Sequence, residues 1–144
     1  MNKVESFQGE FRFLSNFWPC LVEYNEITFP SVEHAYQAAK SSNPAEQKVL
    51  SVMRTPGEAK RRGRVIDLRP DWERMKVAIM TYLVYQKFSS NPPLRKKLLA
   101  TGDAELIEGN TWGDRYWGVY AGEGRNQLGK ILMFVRQSLR EDEK

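Results

Sequence analysis

Three side chains suited to binding a sugar and transferring protons recur along one predicted helix, which spans residues 31–40. At about 100° per residue, Glu33, Gln37 and Lys40 fall within one narrow face of this helix. A carboxylate, an amide and an amine in such a row can bind a sugar, orient water and transfer protons. A solvated face supported by side-chain pairs has the same pattern, so the helix by itself leaves both interpretations open.

A later segment combines aromatic rings with a carboxylate. Trp112, Tyr116 and Trp117 surround Asp114 in the sequence, and such rings stack on heterocyclic bases with little regard to ring type. The glycine-rich turn that follows places Arg125 just before a predicted helix start, where backbone N–H groups can bind a phosphate. An anion cradle and a purely structural turn are equally compatible with this segment.

Two further segments are candidates for substrate contacts. Asn16 and Trp18 lie in an aromatic stretch, where polar donors would stand beside a stacking surface; from the residues alone, a capped turn at the core edge is the favoured interpretation. The basic run at residues 60–64 ends in Arg64. The forked guanidinium groups of arginine match phosphate oxygens, so one interpretation of this run is phosphate contact. The alternative interpretation is a solvated helix end.

Metal and nucleophile chemistry are limited by the small number of suitable residues. The chain contains one histidine, His34, and one cysteine, Cys20. A zinc site of the usual kind needs three or four such ligands, and no nucleophile motif surrounds the cysteine or Ser31. We therefore predict a reaction without metal or cofactor, although counting leaves oxygen-ligated magnesium open. His34 lies next to Glu33 but off its narrow face, which favours a buried structural histidine.

Length and charge limit the remaining classes. A chain of 144 residues is the usual size of one compact domain, and we predict a single domain over residues 1–144. The net charge of +4 and the pI near 9.2 favour anionic partners such as nucleotides, phosphorylated sugars or nucleic acid. Because the sequence has no apolar run of about 18 residues, no secretory leader and one cysteine, we expect a cytoplasmic protein without membrane contact.

Turn and cap residues predict the elements that would hold these side chains. Residues 22–24 and 27–29 alternate around Asn25-Glu26, which indicates a hairpin closed by Pro30. Helical periodicity and capping signals follow, and the predicted helices begin at Ser31, Asn43, Thr55, Asp71, Asn91 and Gln127. The sequence therefore predicts an α+β, mainly helical fold with a small sheet that includes residues 106–108.

The ordered combination of motifs resembles the NADAR family, also called YbiA-like N-glycosidases, from about residue 13 to about residue 139. This resemblance implies the family's α+β, mainly helical fold. Its carriers are Leu14-Ser15-Asn16-Phe17, residues 30–40, Gly63-Arg64, residues 69–72, Met75-Lys76, Lys87-Phe88, residues 114–118, residues 124–129 and Leu132-Met133.

The resemblance also implies cleavage of a ribosyl C–N bond. Some family members resemble enzymes that hydrolyse phosphoribosylamino-pyrimidine intermediates of riboflavin synthesis, and others are linked to removing ADP-ribose from modified guanine. The functional residues that it carries over are Glu33, Lys40, Asp114 and Trp117, with Asn16, Arg64 and Asn126 as binding residues. The sequence departs from the family pattern at Trp112-Gly113 and at residues 119–121. Both departures bear on the base-binding pocket.

We therefore predict an N-glycosidase acting on a ribosylated nucleobase or an ADP-ribose-type small molecule, with ADP-ribosylated nucleic acid as a further candidate partner. Glu33 and Asp114 would divide the acid and base roles, and Lys40 would act as a Schiff-base nucleophile or as a sugar-binding cation. The predicted substrate-binding residues are Asn16, Trp18, Gln37, Arg64, Trp117, Arg125 and Asn126. A non-catalytic ADP-ribose or nucleotide reader and a nucleic-acid-binding module are the alternatives.

Overall fold

The computed structural model describes residues 2–143, and these form six α-helices, one 3-10 helix and six short strands. The α-helices are α1 (Val32–Ala39), α2 (Pro44–Ser51), α3 (Pro56–Gly63), α4 (Trp72–Ser89), α5 (Pro92–Ala100) and α6 (Gln127–Asp142), and the 3-10 helix is Gly9–Leu14. The strands are β1 (Lys3–Val4), β2 (Pro19–Tyr24), β3 (Ile27–Ser31), β4 (Glu105–Leu106), β5 (Gly109–Asn110) and β6 (Val119–Tyr120). The predicted α+β, mainly helical fold is confirmed.

The sheet content differs in detail from the expectation of one small sheet. Within residues 2–143 the strands pair as three separate two-stranded ladders, β1 with β4, β2 with β3, and β5 with β6. The strand expected at residues 106–108 is β4, which ends at Leu106 and runs parallel to β1. No helix of the described part is both long enough and apolar enough to cross a membrane.

The described residues divide into two compact units. The central unit comprises Asn16–Lys87, and the terminal unit comprises the described residues before Asn16 and after Lys87. In the terminal unit, α6 buries an apolar stripe at helical spacing, consisting of Leu128, Ile131, Leu132, Val135 and Leu139. The single domain over residues 1–144 stays a prediction.

The β2–β3 hairpin of the central unit is the predicted one. Tyr24 pairs with Ile27, and both turn residues between them have positive φ, 52° at Asn25 and 64° at Glu26. Two left-handed residues give the hairpin turn whose twist matches that of the flanking strands. Pro30, expected to close the hairpin, lies inside β3 instead.

Side-chain caps fix where the central helices begin, as the sequence predicts. Ser31 accepts a hydrogen bond from the backbone N–H of His34, which starts α1 directly after β3. Asn43 caps α2 and Thr55 caps α3 in the same way, each followed by a proline in the first turn. Because Ser31 fixes the first turn of α1, the strand that precedes the helix sets the position of its acid–base face, which consists of Glu33, Gln37 and Lys40.

Candidate active site

The acid–base face of α1 is buried rather than solvated. Glu33 is 8% exposed and Gln37 is 4% exposed, and every residue of the helix is buried where it contacts β2, β3, α2 and α3 of the central unit. The Gln37 Nε2 group donates to Glu33 Oε2 over 2.6 Å. The interpretation of this face as solvated is therefore wrong, because the helix is enclosed by its neighbours.

Gly63, the last residue of α3, gives the Gln37 side chain its position. A Cβ atom at Gly63 would collide with the amide group of Gln37, so only glycine lets α3 approach this closely. Among the described residues, Gln37 Oε1 is a buried acceptor without a hydrogen-bond donor. Such an atom costs about 1–3 kcal/mol, so the polar face of α1 lowers the stability of the fold.

Lys40 follows α1 at its C-terminal end and is half-buried. Its carbonyl oxygen accepts from the Arg69 backbone N–H at 2.7 Å, and its Nζ lies 5.7 Å from the Tyr36 ring centroid. Burial lowers the pKa of Lys40 below the ordinary lysine value, against the opposing charge of Glu33. A lowered pKa increases the neutral, nucleophilic fraction of the amine.

Cations around Lys40 act in the same direction as burial. The charges of Arg64, Lys60 and Lys76 each lower the pKa of Lys40. The residues of the basic run at 60–64 do not all act on Lys40, because Arg62 forms a two-pronged salt bridge with Glu46, at 2.7 and 2.9 Å. Arg64 is exposed at the end of α3, and its binding role stays a prediction.

Asn16 and Trp18 lie on the segment that enters β2. The backbone carbonyl of Asn16 accepts from the N–H of Glu33 at 3.1 Å, and its side-chain amide donates to the Met80 sulfur at 3.5 Å. Trp18 is half-buried. The central unit thus brings Asn16 to the first turn of α1, where it contacts Glu33.

Asp114, in the terminal unit, closes a tight turn. Its Oδ1 accepts from the backbone N–H groups of Tyr116 and Trp117, at 3.0 and 2.9 Å. The Asn110 side chain binds the Asp114 backbone in both directions, at 3.0 and 2.9 Å. The Trp117 ring stands edge-on to Tyr116, with centroids 5.0 Å apart. Asp114 therefore has a structural role, and its acid or base role stays a prediction.

The start of α6 is a structural turn, so the interpretation as an anion cradle is wrong. The backbone N–H groups that would face an anion donate to carbonyls of residues 115–118 over 2.8–3.2 Å; the donors are Arg125, Asn126, Gln127 and Leu128. The Asn126 side chain is also engaged, accepting from the Glu108 N–H and donating to the Leu106 carbonyl, both at 2.9 Å. Arg125 is exposed, with its guanidinium 5.7 Å from the Tyr116 ring.

His34 is the structural residue that its position predicts. It is buried, with Nδ1 2.7 Å from Ser31 Oγ and Nε2 3.0 Å from the Met53 carbonyl. Burial lowers the pKa of His34, which favours the neutral ring. Both ring nitrogens are used to hold β3, α1 and the end of α2 together.

The sequence did not predict the roles of several residues that organise these groups. Asn110 holds the Asp114 turn, Gly63 makes room for Gln37, and Lys60 and Lys76 add charge around Lys40. Gly63 carried a signal, a glycine at a predicted helix end, which marks a close approach as well as a helix stop. Lys60 lies in the predicted basic run and Lys76 in a motif pair, but their effect on Lys40, like the role of Asn110, depends on which elements pack together.

Comparison with known proteins places the chain in a family. Residues 4–140 match the NADAR domain family. An N-glycosidase of Nostoc punctiforme is 39% identical over 132 residues, covering 88% of this chain and 84% of that protein. A riboflavin biosynthesis protein of Vibrio vulnificus is 41% identical over 132 residues, covering 90% of this chain but 36% of that protein.

A solved structure agrees with the fold. The NMR structure of the Escherichia coli protein YbiA has a TM-score of 0.85 and 33% identity, covering 98% of this chain and 85% of that chain. YbiA is itself named an N-glycosidase. The chain belongs to the NADAR domain family and has a YbiA-like fold, as its motifs predict.

Proposed function

We propose that this chain is an N-glycosidase that hydrolyses the C–N bond between ribose and a nucleobase-like heterocycle. The observation that carries the proposal is the buried acid–base face of α1, where Glu33 and Gln37 are hydrogen-bonded and Lys40 has a lowered pKa. The names of the relatives support the same reaction. A phosphoribosylamino-pyrimidine of riboflavin synthesis is the first candidate substrate, and ADP-ribosylated guanine is the second.

Glu33 supplies the electrostatic part of this reaction. Breaking a ribosyl C–N bond builds positive charge at the anomeric carbon, and a carboxylate in a site with little water stabilises that charge strongly. Gln37 fixes the Glu33 carboxylate through its 2.6 Å bond. Asp114 stays a candidate for the general acid, because only its Oδ1 accepts the two turn hydrogen bonds.

Lys40 supplies a covalent route. When the glycosylamine opens to an imine, the neutral Nζ attacks the anomeric carbon, and the base nitrogen leaves with the electron pair of its C–N bond and a proton. Water then adds to the lysine imine, releasing the aldehyde sugar and restoring the amine. The lowered pKa of Lys40 favours this role over a purely cationic one.

The cations near Lys40 suit the charged end of the substrate. Arg64 and Lys60 act on Lys40 electrostatically, and guanidinium and ammonium groups bind phosphate oxygens through charge-assisted hydrogen bonds.

We assign the reaction to the cytoplasm, where the free thiol of Cys20 is compatible with a reducing environment.

A product assay by mass spectrometry tests the proposal. The full chain is incubated, with and without chelator, with the phosphoribosylamino-pyrimidine and in parallel with an ADP-ribosylated guanine oligonucleotide. Release of ribose 5-phosphate or of ADP-ribose identifies the substrate, and Glu33→Gln should abolish it while the exposed Glu105→Gln should not. A folded protein that binds ADP-ribose but cleaves neither substrate would refute the proposal in favour of a non-catalytic reader.

A further inference from the structure

A loop of the central unit contacts the end of α1 that carries Lys40. Residues 64–71 connect α3 to α4 outside any helix or strand, and the backbone N–H of Arg69 in this loop donates to the Lys40 carbonyl oxygen at 2.7 Å. Carbonyl groups at the end of a helix have no partner within the helix, so a donor from outside fixes them. The position of Lys40 therefore depends on how this loop is held.

The Arg69 side chain holds the loop in place. Its Nε and Nη2 groups donate to the two carboxylate oxygens of Asp71, at 2.6 and 3.0 Å, and its Nη1 group donates to the Tyr24 hydroxyl at 3.0 Å. Tyr24 is the last residue of β2, so these contacts tie the loop to the hairpin. The hydrogen bonds from Arg69 lower the pKa of Asp71, which keeps both partners charged at neutral pH. We call Arg69, Asp71 and Tyr24 the Arg69 clamp.

The start of α4, directly after the clamp, also reaches the surroundings of Lys40. Trp72 is 4% exposed, and its ring centroid lies 5.2 Å from that of Tyr36. The Lys40 Nζ lies 5.7 Å from the same Tyr36 ring. About one helical turn after Trp72, Lys76 adds a charge that acts on Lys40. The segment 69–76 thus acts on Lys40 through a hydrogen bond, through a ring contact and through charge.

We propose that Arg69 and Asp71 are positioning residues that hold Lys40 against Tyr36 for the N-glycosidase reaction. The inference rests on the proposed function, since it assigns the clamp to the chemistry of the Lys40 amine. Arg69 and Asp71 act through the backbone of Lys40 and not on the substrate. They belong to the motif at residues 69–72, which the proposed bond cleavage does not otherwise use.

Reductive methylation measures the state of the Lys40 amine without requiring hydrolysis of any substrate. The neutral amine adds to formaldehyde, water leaves as the imine forms, and cyanoborohydride reduces the imine by transferring hydride. Peptide mass spectrometry of the full chain then gives the methylation rate at Lys40 as a function of pH. The charged groups that act on Lys40 are unchanged in every variant used, namely Glu33 of α1, Lys60 of α3, Arg64 after α3 and Lys76 of α4.

Releasing the clamp should raise the pKa of Lys40. Burial is the largest cause of its lowered pKa, and a loosened helix end exposes the amine to water. Arg69→Lys keeps the charge but loses the forked contact, and Asp71→Ala removes the partner carboxylate. In both variants we expect the midpoint of the methylation profile to move to higher pH. Turnover should fall about tenfold to a hundredfold, since a displacement of about 1 Å can cost about a hundredfold.

The central unit offers a matched control in a second forked pair. Arg62 of α3 binds Glu46 of α2 through two hydrogen bonds, at 2.7 and 2.9 Å. Glu46→Ala removes this pair without changing the contacts of Lys40, so the midpoint and the turnover should stay as in the wild type. Tyr24→Phe removes one hydrogen bond of the clamp and should move the midpoint upward by a smaller amount, which keeps the test decisive if Asp71→Ala fails to fold.

An unmoved midpoint in the folded clamp variants, or an equal shift in Glu46→Ala, would overturn the inference. A wild-type midpoint retained in Arg69→Lys alone would show that charge, and not the forked contact, is what matters, and would overturn it as well. The hydrolysis assay on the same samples separates the two proposals. Cleavage with an unmoved midpoint removes the clamp and leaves the N-glycosidase, while a moved midpoint in a chain that cleaves neither substrate keeps the clamp and removes the N-glycosidase.

Discussion

Gly63→Ala should disrupt the acid–base face without touching any group that reacts. The new Cβ would overlap the Gln37 amide, which is 4% exposed and bonded to Glu33 at 2.6 Å. Overpacking costs about 1–3 kcal/mol, and the charge-assisted hydrogen bond that Gln37 must release is worth about 1.5–3 kcal/mol. Since the helix gains at most about 1 kcal/mol from alanine, we expect a net destabilisation of about 2–5 kcal/mol.

The same helix offers a matched control. At Gly57 a Cβ would meet only Thr55 Oγ1, at 3.8 Å, so Gly57→Ala should leave stability unchanged or raise it. Urea unfolding measures both variants, and Gly63→Ala should also lower turnover. In a Gln37→Ala background the overlap is absent, and Gly63→Ala should there cost little. Equal stability of the two single variants, or an undiminished cost in the Gln37→Ala background, would refute the proposed Gly63–Gln37 contact.

Three further changes separate the roles of the candidate residues. Lys40→Arg keeps the charge but removes the nucleophile, so we expect turnover to fall by several orders of magnitude while phosphate binding is retained. Wild-type turnover in this variant would exclude a Schiff base at Lys40. The neutral Lys40 amine is needed, so the rate should rise with pH through the lowered pKa of Lys40, and Lys60→Gln removes a charge that lowers it. The rising limb of the pH–rate profile should then move to higher pH in Lys60→Gln, and a limb that stays or moves lower contradicts this reasoning. Asp114→Asn retains an oxygen for the two turn hydrogen bonds but loses the acid, so we expect a folded protein with reduced turnover. Asp114→Ala loses that oxygen as well and should also lower the melting temperature. Full turnover in Asp114→Asn would leave Asp114 with a structural role only.

Local signals predicted the elements of this fold well. The caps at Ser31, Asn43 and Thr55 begin α1, α2 and α3 as expected, because a cap is decided by residues within one helical turn. The apolar stripe of α6 was equally readable, since one face of a helix repeats every few residues. The short parallel ladders were not predicted, because β1 and β4 are about a hundred residues apart and each is too short to leave a pattern.

The candidate site was only partly predictable, because burial depends on distant packing. Lys87 shows this limit, since it stood out only as a motif residue. It is 1% exposed, and burial lowers its pKa to about 8, which nothing local in the sequence indicated. Asn126 shows the converse, because a residue carried over as a binding residue has its amide engaged with the backbone at Leu106 and Glu108.

The acid–base face of α1 shows how burial distinguishes function from a common surface pattern. Glu33, Gln37 and Lys40 at helical spacing are ordinary on a solvated helix, where such pairs contribute a few tenths of a kcal/mol. In a core helix the same residues are costly, because a buried carboxylate and an unpaired amide oxygen both lose solvation. Apolar residues would stabilise α1 more strongly against its four packed neighbours. A fold that keeps this polar row in its core sacrifices stability there, as is expected of a reactive site.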